Sequence, residues 1–371
     1  MRSFMVVLLL AIGCREHPPL PSVQHSAESA AIPPTTAAPS TALQASASFI
    51  PQRVDLQGEA MGTKVHFVSH ATQQLTQAKL DEAFAAALAE IRRLEALMTT
   101  WQASSELSRI NAGAGIWQSA SPETFEVFQK SRWASDLSNG AFDVTFYALN
   151  GVWKFGDAAE QKPTLPDPQL IRSKLKHVDY RHVELDRTGK VRLAPGTSVD
   201  FGGIAKGYAV DKAAQILLQR GVTSFLLQAG GDLYGAGTKP DGTRWSSGIR
   251  DPRSADEQFF AVLDLENHAF STAGDYARSF ILNGKRYHHI IDPKTGYPAT
   301  ACRSVTVWAK DAFTADALDD AVFILGPEKG LKLIESQPDV GAVIVDAHNK
   351  VWVSERLKDQ VKILRQPTDA I

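Results

Sequence analysis

The chain has 371 residues, well beyond the ~150 of one typical domain, so one large or two medium domains are expected. Its 44% hydrophobic, 8% aromatic and 22% charged residues describe an ordinary globular protein and exclude a disordered, collagenous or coiled-coil one. With 39 Lys and Arg against 41 Asp and Glu, the net charge of −2 offers no field for a polyanion, so nucleic acid is not an expected partner; two cysteines, Cys14 and Cys302, cannot supply a disulfide framework.

At the N-terminus, Met1-Arg2 leads into an apolar run of nine residues, Phe4 to Ile12, too short to span a bilayer at ~20 residues. It reads as a secretory signal, and Leu10-Ala11-Ile12-Gly13-Cys14 resembles a bacterial lipobox whose cysteine is lipidated. The alternative is a buried apolar helix with a chance cysteine. From Arg15 to about Ser48, six prolines stand among Ala, Ser and Thr with only Arg15, Glu16 and Glu28 charged, which makes a semi-extended linker. The expected domains are therefore a signal over 1–13, a lipidated cysteine and linker over 14–50, and one globular body over 51–371. Cys302 is then a lone thiol, expected to be buried and inert.

Within the body, Leu80, Phe84, Leu88, Ile91, Leu94 and Met98 recur at helical spacing and predict an amphipathic helix. Ser121-Pro122 predicts a helix start and Asn139-Gly140 its stop; Val210, Ala214, Leu217 and Leu218 predict another helix ending at Gly221, and a fourth starts near Thr314 and runs toward Gly326. Strands are expected at Lys64–Val68, His182–Leu185, Val191–Leu193, Ser224–Leu227, Ala261–Leu265, Ser304–Trp308 and Gly341–Val345. Asn283-Gly284 between apolar runs is a hairpin signal. With no internal repeat and no second linker, the class is α+β.

Three segments carry candidate chemistry. Val199-Asp200-Phe201-Gly202-Gly203-Ile204-Ala205-Lys206-Gly207 turns a strand through glycines into a helix, where backbone N–H groups and Lys206 can meet a phosphate; it has neither P-loop nor dinucleotide-fold spacing, and a plain glycine turn fits equally. Asp316, Asp319 and Asp320 lie one helical turn apart and repel one another unless a divalent cation joins them; an all-oxygen set favours Mg²⁺ or Ca²⁺ over zinc, and an acidic first turn facing solvent is the alternative. In Tyr287-His288-His289-Ile290-Ile291, strand alternation puts Tyr287, His289 and Ile291 on one face and His288 on the other, so one histidine can face a site, as general base or phosphate ligand, or merely as a structural residue.

Taken together these segments resemble the ApbE-type FAD:protein FMN transferases, from Ala60-Met61-Gly62-Thr63 to Leu325-Gly326-Pro327-Glu328-Lys329. Further matching stretches are Thr100-Trp101, Ser105 to Asn111, Ala141-Phe142-Asp143-Val144-Thr145, Trp153 to Gly156, Asp200 to Asp211, Gly230-Gly231-Asp232, Ser271 to Tyr276, His289 to Gly296 and Ala315-Asp316-Ala317-Leu318. The resemblance implies an ApbE-like, T-fold-related α+β body of mixed sheets and packed helices. It implies a Mg²⁺-dependent enzyme that moves FMN from FAD onto a Ser or Thr hydroxyl of an exported acceptor protein, such as a subunit of a membrane redox complex, and releases AMP. Met61, Trp101, Ala141, Phe142, Asp143, Asp200, Lys206 and Ile291 match FAD-contacting positions, and Gly231 and Asp232 line the nucleotide pocket. Gly203, Asp316, Asp319 and Asp320 match the metal set, and His289 with Lys206 the catalytic groups. The chain departs from many relatives in carrying Asp320 in place of Thr, and Phe146-Tyr147-Ala148-Leu149 where Gly-Pro-Leu is common.

The same resemblance implies a lipid-anchored protein on the periplasmic face of a bacterial membrane, the inner one by family. Catalysis of this kind rests on charge stabilisation by metal, lysine and backbone N–H groups, with a histidine of near-neutral pKa taking the hydroxyl proton. Two rival functions are hydrolysis of FAD to FMN and AMP on the same machinery, and non-catalytic storage or presentation of FAD.

Overall fold

The computed structural model describes residues 49–155, 162–256 and 258–370; Cys14, the lipobox, the linker and Gly156 lie outside them. Its centre is an eight-stranded sheet in the spatial order Gln52–Ala60, Thr63–Ala71, Phe225–Ala229, Asp232–Ala236, His268–Gly274, Cys302–Ala309, Gly341–Asp346, Val351–Val353. Every neighbouring pair is antiparallel. Both faces of the central strands Cys302–Ala309 and Gly341–Asp346 are covered, which is why these two read as apolar runs more than as clean alternation, whereas Gln52–Ala60 at the sheet edge leaves one face exposed. Along Ser304–Trp308, Val305 and Val307 enter the core beneath the helices, while Trp308 enters the core on the other face. Phe67 and Val68 divide in the same way.

Four long helices pack on one face. Gln77–Met98 buries the predicted stripe from Leu80 to Met98 and is capped by Thr76, whose hydroxyl accepts from the Lys79 N–H. Pro122–Leu137 starts at the expected Ser121 cap, and Ala205–Gln219 stops just before Gly221. Ala312–Glu335 is two helices end to end: Gly326, at φ 78° and ψ 174°, and Pro327 break it where the sequence predicts the stop. The opposite face is closed by a three-stranded sheet of Trp245–Arg250, Phe259–Leu265 and Val361–Ile363, whose Ile249, Phe260 and Leu263 meet Val343 and Val345. The free thiol Cys302 is buried, and burial pushes it up to about 12, as expected of an inert thiol.

Two hairpins use two-residue turns with both residues at positive φ. Asn283-Gly284, at 52° and 73°, joins Ser279–Leu282 to Lys285–His288 with residues suited to that conformation. Met61-Gly62, at 51° and 66°, joins Gln52–Ala60 to Thr63–Ala71 and places a bulky side chain where L-residues are disfavoured. The second strand of the Asn283-Gly284 hairpin stops at His288, so the alternation predicted through Ile291 does not continue. His288 is buried, with Nε2 2.8 Å from the Ala299 carbonyl and its ring edge-on to Phe323, and its Nδ1 accepts from the Ile290 N–H. That local bond turns the backbone out of the strand.

Candidate functional site

The site lies where three segments converge: the start of helix Ala205–Gln219, the acidic turn of helix Ala312–Glu335, and the Gly230-Gly231 turn before strand Asp232–Ala236. Gly207 lets the two helices meet, since a Cβ there would stand 2.3 Å from the Ala312 carbonyl oxygen and 2.7 Å from Asp316 Cβ. Across that contact the Gly207 N–H donates to Asp316 Oδ2 at 2.8 Å. Lys206 Nζ sits 3.3 Å from Asp232 Oδ2 and 3.5 Å from Asp316 Oδ1, and donates to the Gly202 carbonyl at 3.3 Å. Asp319 accepts from the Ser271 hydroxyl at 2.7 Å, and from the Asp320 N–H at 2.5 Å. Asp320 faces Gly203, where a Cβ would lie 2.8 Å from its Oδ2 and 3.6 Å from the Phe142 ring.

The electrostatics of this cluster are unbalanced. Asp232, 1% exposed, has neither carboxylate oxygen in a hydrogen bond. Burial, reinforced by Asp232, pushes Asp316 up to about 7; burial pushes Asp320 up to about 6 against the pull of Lys206. Burial and then the charges of Asp320, Asp316 and Asp232 raise Asp319 well above the carboxylate range. Burial works against the Lys206 ammonium, but the four aspartates outweigh it and hold its pKa above the ordinary lysine value. Four carboxylates share one cation.

That deficit fits a divalent ion with oxygen ligands. Among the described residues, no three His, Cys, Asp or Glu side chains converge as a ready-made metal cage. Mg²⁺ does not need one, because it is commonly held by one or two carboxylates together with substrate phosphates and water. Asp316 and Asp320, with the Gly203 backbone beside them, suit that pattern, and Asp319 is already engaged by Ser271.

The remaining predicted residues lie at different depths, some in contact with this centre and some apart from it. Gly231 packs against strand His268–Gly274, where a Cβ would meet the Thr272 carbonyl at 2.8 Å, and its neighbour Gly230 lies against Thr63 of the Met61-Gly62 turn. Asp200 accepts from the Thr100 hydroxyl and the Gly202 N–H, both at 2.7 Å; this ties Trp101, 91% exposed, to the rim. Ala141 and Phe142 are buried, and Phe142 is part of the main core. Asp143 accepts from the Thr145 N–H and hydroxyl and from the Tyr180 N–H; burial nevertheless pushes it up to about 6. It borders a cleft of about 380 Å³ also lined by Gly140, Tyr180, Pro293 and Lys294. Ile291 lies in a satellite core with Trp153, bridged to Pro298.

His289 has a buried Nδ1 with no hydrogen-bond partner. Burial first, then His288, Arg278 and Lys206, push it down to about 4, so the near-neutral pKa expected from the sequence is not found in the protein alone. The cause is a desolvated ring among cationic neighbours. Sequence reasoning assigned no role to Ser271 or Thr100, which hold Asp319 and Asp200. A lone hydroxyl carries no pattern, and both partners are distant in the chain.

The profile of the ApbE family matches residues 61–344. An FAD:protein FMN transferase of Klebsiella pneumoniae (strain 342) is 31% identical over 312 residues, 82% of this chain and 88% of its own length. One from Treponema pallidum (strain Nichols) is 32% identical over 292 residues, 74% of this chain and 80% of its own. The ApbE protein of Thermotoga maritima superposes with a TM-score of 0.74 at 33% identity, over 83% of this chain and 99% of that one; the flavin transferase ApbE of Vibrio cholerae gives 0.74 at 26% identity, over 84% and 100%.

Proposed function

The chain belongs to the ApbE family, and from that premise we propose that it is an FAD:protein FMN transferase, joining the FMN part of FAD to a Ser or Thr hydroxyl of an acceptor protein. The observation that carries the reading is the pairing of a charge-starved carboxylate cluster around Lys206 with an unpartnered histidine nitrogen nearby. The acceptor oxygen attacks the flavin-side phosphorus of FAD, a phosphoester forms, the bond to the AMP oxygen breaks, and AMP leaves. Lys206 stabilises the charge that grows on the phosphoryl oxygens; the Ala205 and Gly207 N–H groups at the start of helix Ala205–Gln219 are already taken by the Phe201 carbonyl and Asp316. His289 takes the hydroxyl proton; its low pKa keeps the ring neutral at pH 7, and a bound pyrophosphate raises its basicity.

Mg²⁺, held by Asp316, Asp320 and the Gly203 carbonyl with Asp319 in support, would supply Lewis-acid neutralisation of the pyrophosphate. Met61, Trp101, Ala141, Phe142, Asp143, Asp200, Gly231, Asp232 and Ile291 form the FAD pocket in this reading. Trp101 suits ring stacking because so little of it is used in packing. The signal over 1–13, lipidation at Cys14 and the linker to residue 50 would tether the body over 51–371 to the periplasmic face of a membrane, within reach of exported acceptors.

The test uses residues 51–371, the span containing every described element, with FAD, Mg²⁺ and an acceptor domain. An FMN mass retained on the acceptor under denaturing conditions, with AMP released, is the expected result. AMP without an adduct for several acceptors would favour FAD hydrolysis; bound FAD with neither product would favour a flavin-binding protein.

A further inference from the structure

The two helices of the site cap each other. The first backbone N–H groups of a helix have no partner within it, and a carboxylate from elsewhere can satisfy them and complement the helix dipole. In helix Ala205–Gln219 the Gly207 N–H, in the first turn, donates to Asp316 of the other helix at 2.8 Å. In helix Ala312–Glu335 the Ala312 and Phe313 N–H groups donate to Asp211 Oδ1 and Oδ2 at 2.8 and 2.9 Å. Gly207 and Asp211 are four residues apart on one helix, as are Ala312 and Asp316 on the other, so both bonds lie along a single seam. The seam closes on the Gly207–Ala312 contact, too tight for any side chain. Asp311, the local cap, takes only the Thr314 N–H, leaving the two outermost donors to Asp211. Lys130 adds a bond to the Thr314 hydroxyl at 2.6 Å, and its ammonium lies over the Trp133 and Phe313 rings.

We propose that Asp211 is a positioning residue for the cation site: by holding the start of helix Ala312–Glu335 against helix Ala205–Gln219, it sets Asp316, Asp319 and Asp320 opposite Gly203 and Lys206. Asp316 Oδ2 is committed to Gly207, which leaves Oδ1 turned toward Lys206. A slip of either helix along the seam separates the Gly203 backbone, just before one helix, from Asp320, two turns into the other. Asp211 touches no ligand in this scheme and acts only through the geometry of the acidic turn. The inference rests on the reading of that turn as a divalent-cation site.

The experiment measures Mn²⁺ binding to the full chain by calorimetry, together with amide hydrogen exchange, in the unaltered protein, Asp211→Ala and Asp211→Asn. Asp211→Ala is expected to weaken Mn²⁺ binding by about 10- to 100-fold, the usual loss on removing a group that orients metal ligands. It should also speed exchange at Gly207 across the seam as well as at Ala312 and Phe313. Asp211→Asn keeps one acceptor oxygen and should fall between the two. Affinity within about twofold of the unaltered protein, with exchange accelerated only at Ala312 and Phe313, would make Asp211 a local cap and overturn the proposal. If Asp211→Ala does not fold, unchanged affinity in a folded Asp211→Asn with faster Phe313 exchange overturns it equally. Absence of Mn²⁺ binding by the unaltered protein would sink the cation reading itself and this inference with it.

Discussion

Two of the protein's buried groups of carboxylates are treated in opposite ways. Asp275 is met by both terminal nitrogens of Arg253, at 2.6 and 2.7 Å, in a pair whose side chains are 7% and 8% exposed. Asp251 beside it accepts from the Arg253 N–H and from the Thr368 N–H and hydroxyl; burial tends to raise its pKa, but these bonds outweigh burial and lower it. In the cluster around Lys206, four aspartates share one ammonium, Asp232 has no hydrogen bond, and Asp316, Asp319 and Asp320 are all pushed upward. Equal burial therefore does not mean equal purpose. The satisfied group fastens the C-terminal tail to the sheet, and the starved group retains capacity for a further cation and for anions arranged around it.

The largest effect expected from breaking this contrast is at Asp316. Asp316→Ala should lower transfer on the order of 10³-fold and abolish its response to Mg²⁺, read as AMP release against Mg²⁺ concentration. Retained Mg²⁺-dependent turnover would remove Asp316 from the cation site. His289→Ala should lower kcat by roughly 10²- to 10⁴-fold while FAD still binds, as followed by flavin fluorescence. Equal losses in binding and turnover would make the histidine a pocket wall instead of a base.

The satisfied pair should behave as scaffold. Arg253→Met leaves a buried carboxylate unpaired and should cost about 3–5 kcal/mol in urea unfolding, with the Mg²⁺ dependence of the remaining folded enzyme unchanged. A shifted Mg²⁺ response there would show that the two groups communicate.

The pH dependence sharpens the comparison further. In the metal-free protein Asp316 and Asp320, at about 7 and about 6, hold protons that the unfolded chain releases near 3.8. The folded state thus binds more protons between these values, so their contribution to stability falls as pH rises from about 4 toward 7 and levels off above. Asp316→Asn removes one such group, and its stability relative to the unaltered protein should improve by a few kcal/mol across that window. A constant difference would mean that Asp316 titrates alike folded and unfolded.

The smallest effect concerns the turn that lies against Gly230. Asn accepts the left-handed conformation that Met61 occupies at φ 51°, yet loses the packing of Met61 on the main core. Met61→Asn should therefore change stability by less than about 1 kcal/mol while weakening FAD binding. A larger stability loss with FAD binding intact would make the turn a scaffold element.

Local chemistry was legible in the chain itself. The caps at Ser121 and Gly221, the stripe from Leu80 to Met98, the stop at Gly326 and the Asn283-Gly284 turn depend on residues a few positions apart, and each appears where its pattern predicts. The one-turn spacing of Asp316, Asp319 and Asp320 was visible for the same reason. The sequence did not reveal strands such as Gln52–Ala60 and His268–Gly274, whose polar or small residues acquire strand character from their neighbours in the sheet. Nor could it tell that His288 leaves the strand, that Asp319 is held by Ser271, or that Asp211 caps a helix 101 residues away. Periodicity records which face of an element is buried. It holds no record of which distant backbone N–H or hydroxyl a buried carboxylate will meet, and only the packing of two helices on one antiparallel sheet decided that.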